Sequence, residues 1–194
     1  MSERRRMMMA PKGNFINGYE YVDLGLPSGL LWAKCNVGAD EETSIGDYYS
    51  CGCGAQKYRG TNDWYKGRTN VPAANDTAVQ VMGGGWRMPT KDEFQELIDN
   101  CNYLKITTGT HGIKLTSKIN GNYIFIPSGG YYNNISGGYT SADLIRLYSS
   151  TYASAVYGQG GDYFYVLVAY DAATPQIGNR GSASGGFHIR AVHT

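Results

Sequence analysis

Charge is scarce in this chain. Lys, Arg, Asp and Glu make up 17% of its 194 residues, against about 25% in an average soluble protein, and the formal net charge is +1. A near-neutral chain has no long-range field with which to gather a polyanion, so no nucleic-acid partner is expected and recognition must rest on shape and hydrogen bonds. Long apolar runs are missing as well: none approaches the roughly 18 residues of a membrane helix, and no membrane insertion is expected. Met7 to Ala10 follow three arginines but fall short of the about 7 to 15 apolar residues of a secretory signal. Residues 1–18 are therefore read as a flexible leader without an export address. Cysteine is sparse too, with Cys35, Cys51, Cys53 and Cys101 and none beyond. Cys51 and Cys53 are too close for the usual zinc-pair spacing, so no metal and no cofactor is expected. Four free thiols and a Cys35 to Cys101 bridge both remain open.

What the chain does have is glycine and tyrosine. Its 27 glycines are about twice the usual share of 7%, and with 17 tyrosines they favour short strands and long loops over a helical bundle. An apolar fraction of 42% is ordinary and excludes disorder. The length suits one domain, placed at 19–194.

Local patterns fill in the frame. Tyr19 to Val22 alternates as a strand, Gly25-Leu26-Pro27-Ser28-Gly29 turns, and Leu30 to Ala33 returns as the second arm of a hairpin with Trp32 as core anchor. Asp40 to Thr43, followed by Ile45, Tyr48 and Tyr49, predicts a short helix between Ala39 and Ala55. Gln56 to Gly85 reads as a long irregular insertion packed by Tyr58, Trp64 and Tyr65. Thr90 and Glu93 have the spacing of a capping box ahead of the apolar stripe Phe94, Leu97, Ile98 and Cys101, which leaves Asp92, Glu96 and Asp99 as a solvated face. Gly112 to Ser117 and Tyr123 to Pro127 flank Asn120-Gly121 as a further hairpin. Asp162 to Tyr170 is the best late strand, with Tyr163, Tyr165, Leu167 and Ala169 on one side and Asp162, Phe164, Val166, Val168 and Tyr170 on the other. Gly186 to Val192 is expected to close the fold beside the N-terminal hairpin.

Residues 139–190 stand apart in vocabulary. From Tyr148 to Val192 there is no Lys, Glu, Met or Trp, while Tyr, Ser, Ala, Gly, Asp, Asn, Val and Phe dominate. Binding loops use such a set, because tyrosine offers large contact area at small entropic cost and Ser, Gly and Asn adapt their hydrogen bonds. The stretch is read as a ligand-facing surface and 19–138 as its scaffold. The outward residues expected there are Tyr152, Ser154, Val156, Tyr157, Asp162, Phe164, Val166, Val168, Tyr170, Thr174, Ile177, Asn179, Ser182 and Ser184.

Three ordered motifs then resemble a known family. Tyr21-Val22-Asp23-Leu24-Gly25-Leu26-Pro27-Ser28-Gly29-Leu30-Leu31-Trp32-Ala33 with Cys35-Asn36-Val37-Gly38, Trp86-Arg87-Met88-Pro89-Thr90 leading into Glu93-Phe94, and Tyr148-Ser149-Ser150-Thr151 with Gly186-Phe187-His188-Ile189-Arg190 are similar to the opening, centre and end of the Fibrobacter succinogenes major paralogous domain. The chain departs from that pattern at Cys51-Gly52-Cys53-Gly54, where relatives carry Trp-Gly-Glu, and at Tyr148, where they carry Trp. The resemblance implies an α+β, C-type lectin-like fold with two short helices, antiparallel sheets, long irregular loops and adjacent terminal strands. It further implies a receptor-binding variable protein of a diversity-generating retroelement, displaying rewritten residues to a protein or glycan on a cell surface. Adenine-directed rewriting of AAY codons cannot yield Lys, Glu, Gln, Met or Trp, which accounts for the composition of the stretch and makes Gln159 and Gln176 fixed positions. The alternative from the same family is a non-variable surface or adhesive domain. The more distantly similar formylglycine-generating enzymes act through late cysteines; none follows Cys101 here, so no enzymatic role is expected. The Glu-Pro-Asn and Gln-Pro-Asp triplets of calcium-dependent sugar binding are absent.

Overall fold

The computed structural model describes residues 13–57, 64–133, 138–140, 143–153, 162–169 and 174–194. It is an α+β arrangement built on antiparallel ladders. Asn14–Ile16 (β1) turns through Asn17 and Gly18, both at positive φ (49° and 83°), the conformation that a two-residue hairpin turn requires. It pairs with Tyr19–Asp23 (β2), so the chain is already in register at Asn14, inside the segment read as a leader. Residues 1–12 of that leader lie outside the described residues. Leu31–Ala33 (β3) completes the expected hairpin with β2, matching Tyr21 to Ala33 and Val22 to Trp32.

The first helix is not where the sequence pattern puts it. Between Ala39 and Ala55 the backbone runs in bends and turns, because Gly46 sits at φ 75° and its neighbours are tied back to the strand end: Asn36 Nδ2 donates to the Ile45 carbonyl at 2.8 Å, and Asp47 N donates to the Val37 carbonyl at 3.1 Å. A short helix, Thr77–Met82 (α1), forms instead inside the presumed insertion. Asp76 caps it, accepting from Ala78 N and Val79 N. Its other carboxylate oxygen accepts from Met88 N at 2.9 Å. The second helix, Lys91–Asn100 (α2), begins with the full capping box of Thr90 and Glu93.

Cys101–Ile106 (β4), Gly112–Ser117 (β5) and Tyr123–Pro127 (β6) form one sheet, with the β5 and β6 hairpin as expected. Tyr131–Asn133 (β7) and Gly138–Thr140 (β8) make a small ribbon. Ile145–Tyr152 (β9), Tyr163–Ala169 (β10) and Gln176–Ser182 (β11) form a third sheet with β10 in the middle. Val192–His193 (β12) pairs with β3, Val192 opposite Trp32, so the early and late parts of the chain meet in one sheet.

Two apolar clusters fill the interior. The first gathers Tyr49, Trp86, Met88, Tyr148, Phe164, Val166, Val168 and Phe187. The second gathers Trp32, Phe94, Leu97, Ile124, Leu147, Leu167 and Ala169. β10 supplies residues to both, and its sheet is the wall between them. All four cysteines are free thiols.

Candidate functional site

The residues of the three motifs are structural ties. Trp86 is fully buried, and its indole N–H donates to the Ile16 carbonyl at 3.1 Å. Arg87 grips Glu93 through two hydrogen bonds of 2.8 and 2.6 Å. Tyr148 stacks on Phe187 with ring centroids 4.5 Å apart, and its hydroxyl donates to the carbonyls of Ser182 and Gly185. Ser149 Oγ donates to the Tyr165 carbonyl at 2.8 Å where the β10 ladders shift register, Ser150 N donates to the Pro89 carbonyl at 2.8 Å, and Thr151 Oγ1 accepts from Lys91 N at 3.0 Å. One tetrapeptide thereby fastens β9 to the start of α2, to β10 and to the chain after β11. Arg190 is wholly buried and donates to Asn36 Oδ1 at 2.9 Å and to the carbonyls of Ala33, Lys34 and Phe125.

Against that frame the expected outward set divides. Phe164, Val166 and Val168 are core residues, with exposures of 0%, 1% and 4%, and their assignment to a surface is corrected here. They face the first cluster while Leu167 and Ala169 face the second, so the expected alternation holds, but from Val166 to Ala169 both sides of β10 are buried and only Tyr163 and Tyr165 are half-exposed. Gly178 and Gly181 of β11 lie against Val166 and Val168, where a Cβ on Gly181 would come within 2.4 Å of Val166 Cγ1. Ile177 is half-buried and packs on the second cluster. Ser154, Val156, Tyr157 and Tyr170 lie outside the described residues.

The remainder lies just before β11, on that edge strand, and at one end of the late sheet. Thr174 is exposed, its hydroxyl 2.9 Å from that of Tyr103 on β4. Asn179 is exposed on the edge strand β11. Tyr152, Asp162, Ser182 and Ser184 share one end of the β9, β10 and β11 sheet. Phe164 pairs with Tyr152 and Tyr163 with Ser182 across the ladders, and the hydroxyls of Ser182 and Ser184 are 3.2 Å apart. The Tyr152 ring stands edge-on to buried Phe164 at 5.5 Å, and its hydroxyl lies 3.4 Å from Asp162 Oδ1. Partial burial, and then the Asp162 carboxylate, raise the Tyr152 phenol above its ordinary pKa, so it remains a neutral donor at physiological pH.

Sequence reasoning missed the other half of this end. Asn70 Oδ1 accepts from Tyr152 N at 3.0 Å, and Arg68 Nε donates to Asp162 Oδ1 at 3.2 Å. Both residues come from the presumed insertion. Its length was the available signal, because loops beyond about 12 to 15 residues are usually functional.

The thiols are poor nucleophiles. Burial pushes Cys51 well above the ordinary thiol value, Cys101 up to about 11, and Cys35 and Cys53 upward as well, which suppresses the reactive thiolate. Among the described residues no three His, Cys, Asp or Glu side chains converge as metal ligands, and no helix is long and apolar enough to cross a membrane. A hollow of about 410 Å³ beside Asp76, Trp86 and Arg87 is separate from the Tyr152 and Asp162 end except for Ser150 and Val71 on its wall. No protein-family model, no curated protein and no solved structure matches the chain.

Proposed function

We propose that this chain is a binding module with a C-type lectin-like fold that presents the Tyr152, Asp162, Ser182 and Ser184 end of its late sheet to a protein or glycan on a cell surface. By the resemblance of its motifs it would do so as the variable protein of a diversity-generating retroelement. The observation that carries this reading is the contrast within residues 139–190. Tyr148, Ser149, Phe187 and Arg190 tie the backbone down, whereas the residues between them that reach the sheet end are partly exposed and polar. A frame fixed in this way tolerates change at its rim. The pairing of β12 with β3 and the two short helices accord with a lectin-like plan. The raised thiol pKa values argue against a cysteine nucleophile.

A second reading, a fixed adhesive domain of the same family, is favoured by the burial of Phe164, Val166 and Val168, since core positions do not vary freely. Sequencing the DNA around the gene separates the two. The variable-protein reading expects a near-copy of the segment encoding Tyr148 to Arg190 beside a reverse transcriptase gene, differing at adenines in the codons of Tyr152, Asp162, Asn179, Ser182 and Ser184. The absence of such a copy would leave the adhesive domain.

A further inference from the structure

The β4, β5 and β6 sheet has a second hollow, on the face turned away from the apolar cluster around Trp32. The ladders set Leu104, Lys114 and Phe125 in one row across that face, Thr116 beside Tyr123 in the next, and Ile106 beside Gly112 on the other side. Gly112 has a clear use here. A Cβ on it would come within 2.5 Å of Phe125 Cζ, so the bare backbone lets the Phe125 ring lie down across β5. The ring becomes a floor, 8% exposed, with half-buried Ile106 next to it. Thr43, Thr108 and Thr110 stand around the floor and bound a hollow of about 320 Å³, inside the range of roughly 300 to 1,000 Å³ usual for small-molecule sites.

Two opposite charges also line it. Lys114 is half-buried, and its Nζ stands 3.8 Å from the centroid of the Tyr123 ring, a contact that steadies the ammonium without neutralising it. Glu42 is half-buried as well and is carried in by a turn in which Ser44 N donates to the Glu41 carbonyl at 3.1 Å. Among the described residues neither charge forms an ion pair, with the other or with a third group. The hollow therefore offers a cation, an anion and an apolar floor within the space of one small guest. That combination selects by charge. An internal peptide residue has no charged backbone group and a chain terminus brings one sign only, whereas a free amino acid carries ammonium and carboxylate on a single carbon. Charge-assisted contacts are the strong ones, and a guest that answers both charges gains from each.

We infer that this hollow binds a free α-amino acid with an apolar side chain, its carboxylate on Lys114, its ammonium on Glu42 and its side chain on Phe125 and Ile106. The site is separate from the late sheet and does not depend on the reading given for that end. Titration calorimetry on the full chain tests it with L-leucine and L-phenylalanine, beside leucinamide and N-acetyl-leucine, which each lack one charge, and glycine, which lacks the side chain. Leucine or phenylalanine should saturate one site, and leucinamide, N-acetyl-leucine and glycine should each bind about tenfold or more weakly, the worth of one lost contact to a charged group or of the buried side chain. K114Q should bind leucine and leucinamide equally weakly, E42Q leucine and N-acetyl-leucine equally weakly, while K114R keeps the cation and the discrimination. The variants should melt within about 3 °C of the parent, and leucine should shift the backbone amides of residues 42–43 and 106–114. Leucinamide or N-acetyl-leucine binding as tightly as leucine would make the guest a peptide end and overturn the inference. So would discrimination that survives in both K114Q and E42Q, amide shifts confined to other parts of the chain, or no saturable binding of either amino acid.

Discussion

Two buried polar side chains near the C-terminus show how much of this molecule is decided residue by residue. Arg190 is a fully buried cation without a carboxylate partner among the described residues; carbonyls of Ala33, Lys34 and Phe125 and the amide oxygen of Asn36 receive its N–H groups. Burial draws its pKa down to about 10, which leaves it charged at neutral pH. Replacing it with Met orphans four acceptors on two chain segments at once, each costing about 1 to 3 kcal/mol. R190M should lose at least about 3 kcal/mol in urea unfolding, and R190K nearly as much, since one ammonium cannot span the same segments. A loss below about 1 kcal/mol would mean that these bonds do not hold the closing segment. His188 makes a different demand. Its Nδ1 donates to the Asp47 carbonyl at 3.2 Å, and burial lowers its pKa from 6.5 to about 4, with that bond opposing. The native state therefore holds the neutral imidazole and the unfolded chain takes up the proton first. Stability from this group is whole above pH 6.5 and is lost as the pH falls from 6.5 towards 4, at about 1.4 kcal/mol per unit and reaching about 3 kcal/mol. Thermal melts across that window should fall more steeply for the parent than for H188Q, and parallel curves would contradict the assignment.

At the scale of elements, legibility followed the strength of the local signal. The hairpins at Tyr19 to Ala33 and Gly112 to Pro127 carry their own turn residues, and α2 carries its own cap, so each could be read without knowing the rest. Removing the cap in T90A should cost about 1 kcal/mol, visible as a Tm lowered by about 2 to 4 °C. α1 was hidden because six residues are too few to establish a helical period. The expected helix near Ile45 failed because the 36–47 turn is set by contacts made through Asn36 and Val37. β10 was half legible: alternation sorted its side chains correctly, but alternation does not reveal that both faces are covered from Val166 to Ala169. The continuous run Val166-Leu167-Val168-Ala169 was the better guide, because an unbroken apolar strand is one buried on both sides. A matched pair of substitutions checks this. V166D should fail to yield folded protein, since it places an unpaired carboxylate in the first cluster. N179D on the exposed edge strand should stay within about 0.5 kcal/mol of the parent.

The candidate site is a property of the whole molecule, which is why the sequence disclosed only part of it. Composition pointed to residues 139–190, yet Arg68 and Asp162 are 94 positions apart, and nothing local to either announces the other. The same is true of the core. Phe164, Val166 and Val168 enter the cluster around Trp86 and Phe187, while Leu167 and Ala169 enter the cluster around Trp32 and α2. A central strand with both clusters packed against it cannot release one face and keep the other, because its backbone is shared and its neighbours β9 and β11 hydrogen-bond to it along both edges. The two clusters should therefore unfold together despite their separate membership, giving a single calorimetric transition whose enthalpy equals the van't Hoff value. Leu167→Ala provides the sharper form of the test. It removes a fully buried side chain from the second cluster only, at about 2 to 5 kcal/mol. If the strand joins the clusters, hydrogen exchange at the slowest amides should accelerate by the same factor in α2 and in the bridge between Tyr49 and Phe187 on the far side. Acceleration confined to α2 would show two units that merely touch, and the late sheet could not then serve as the single rigid support on which a binding end depends.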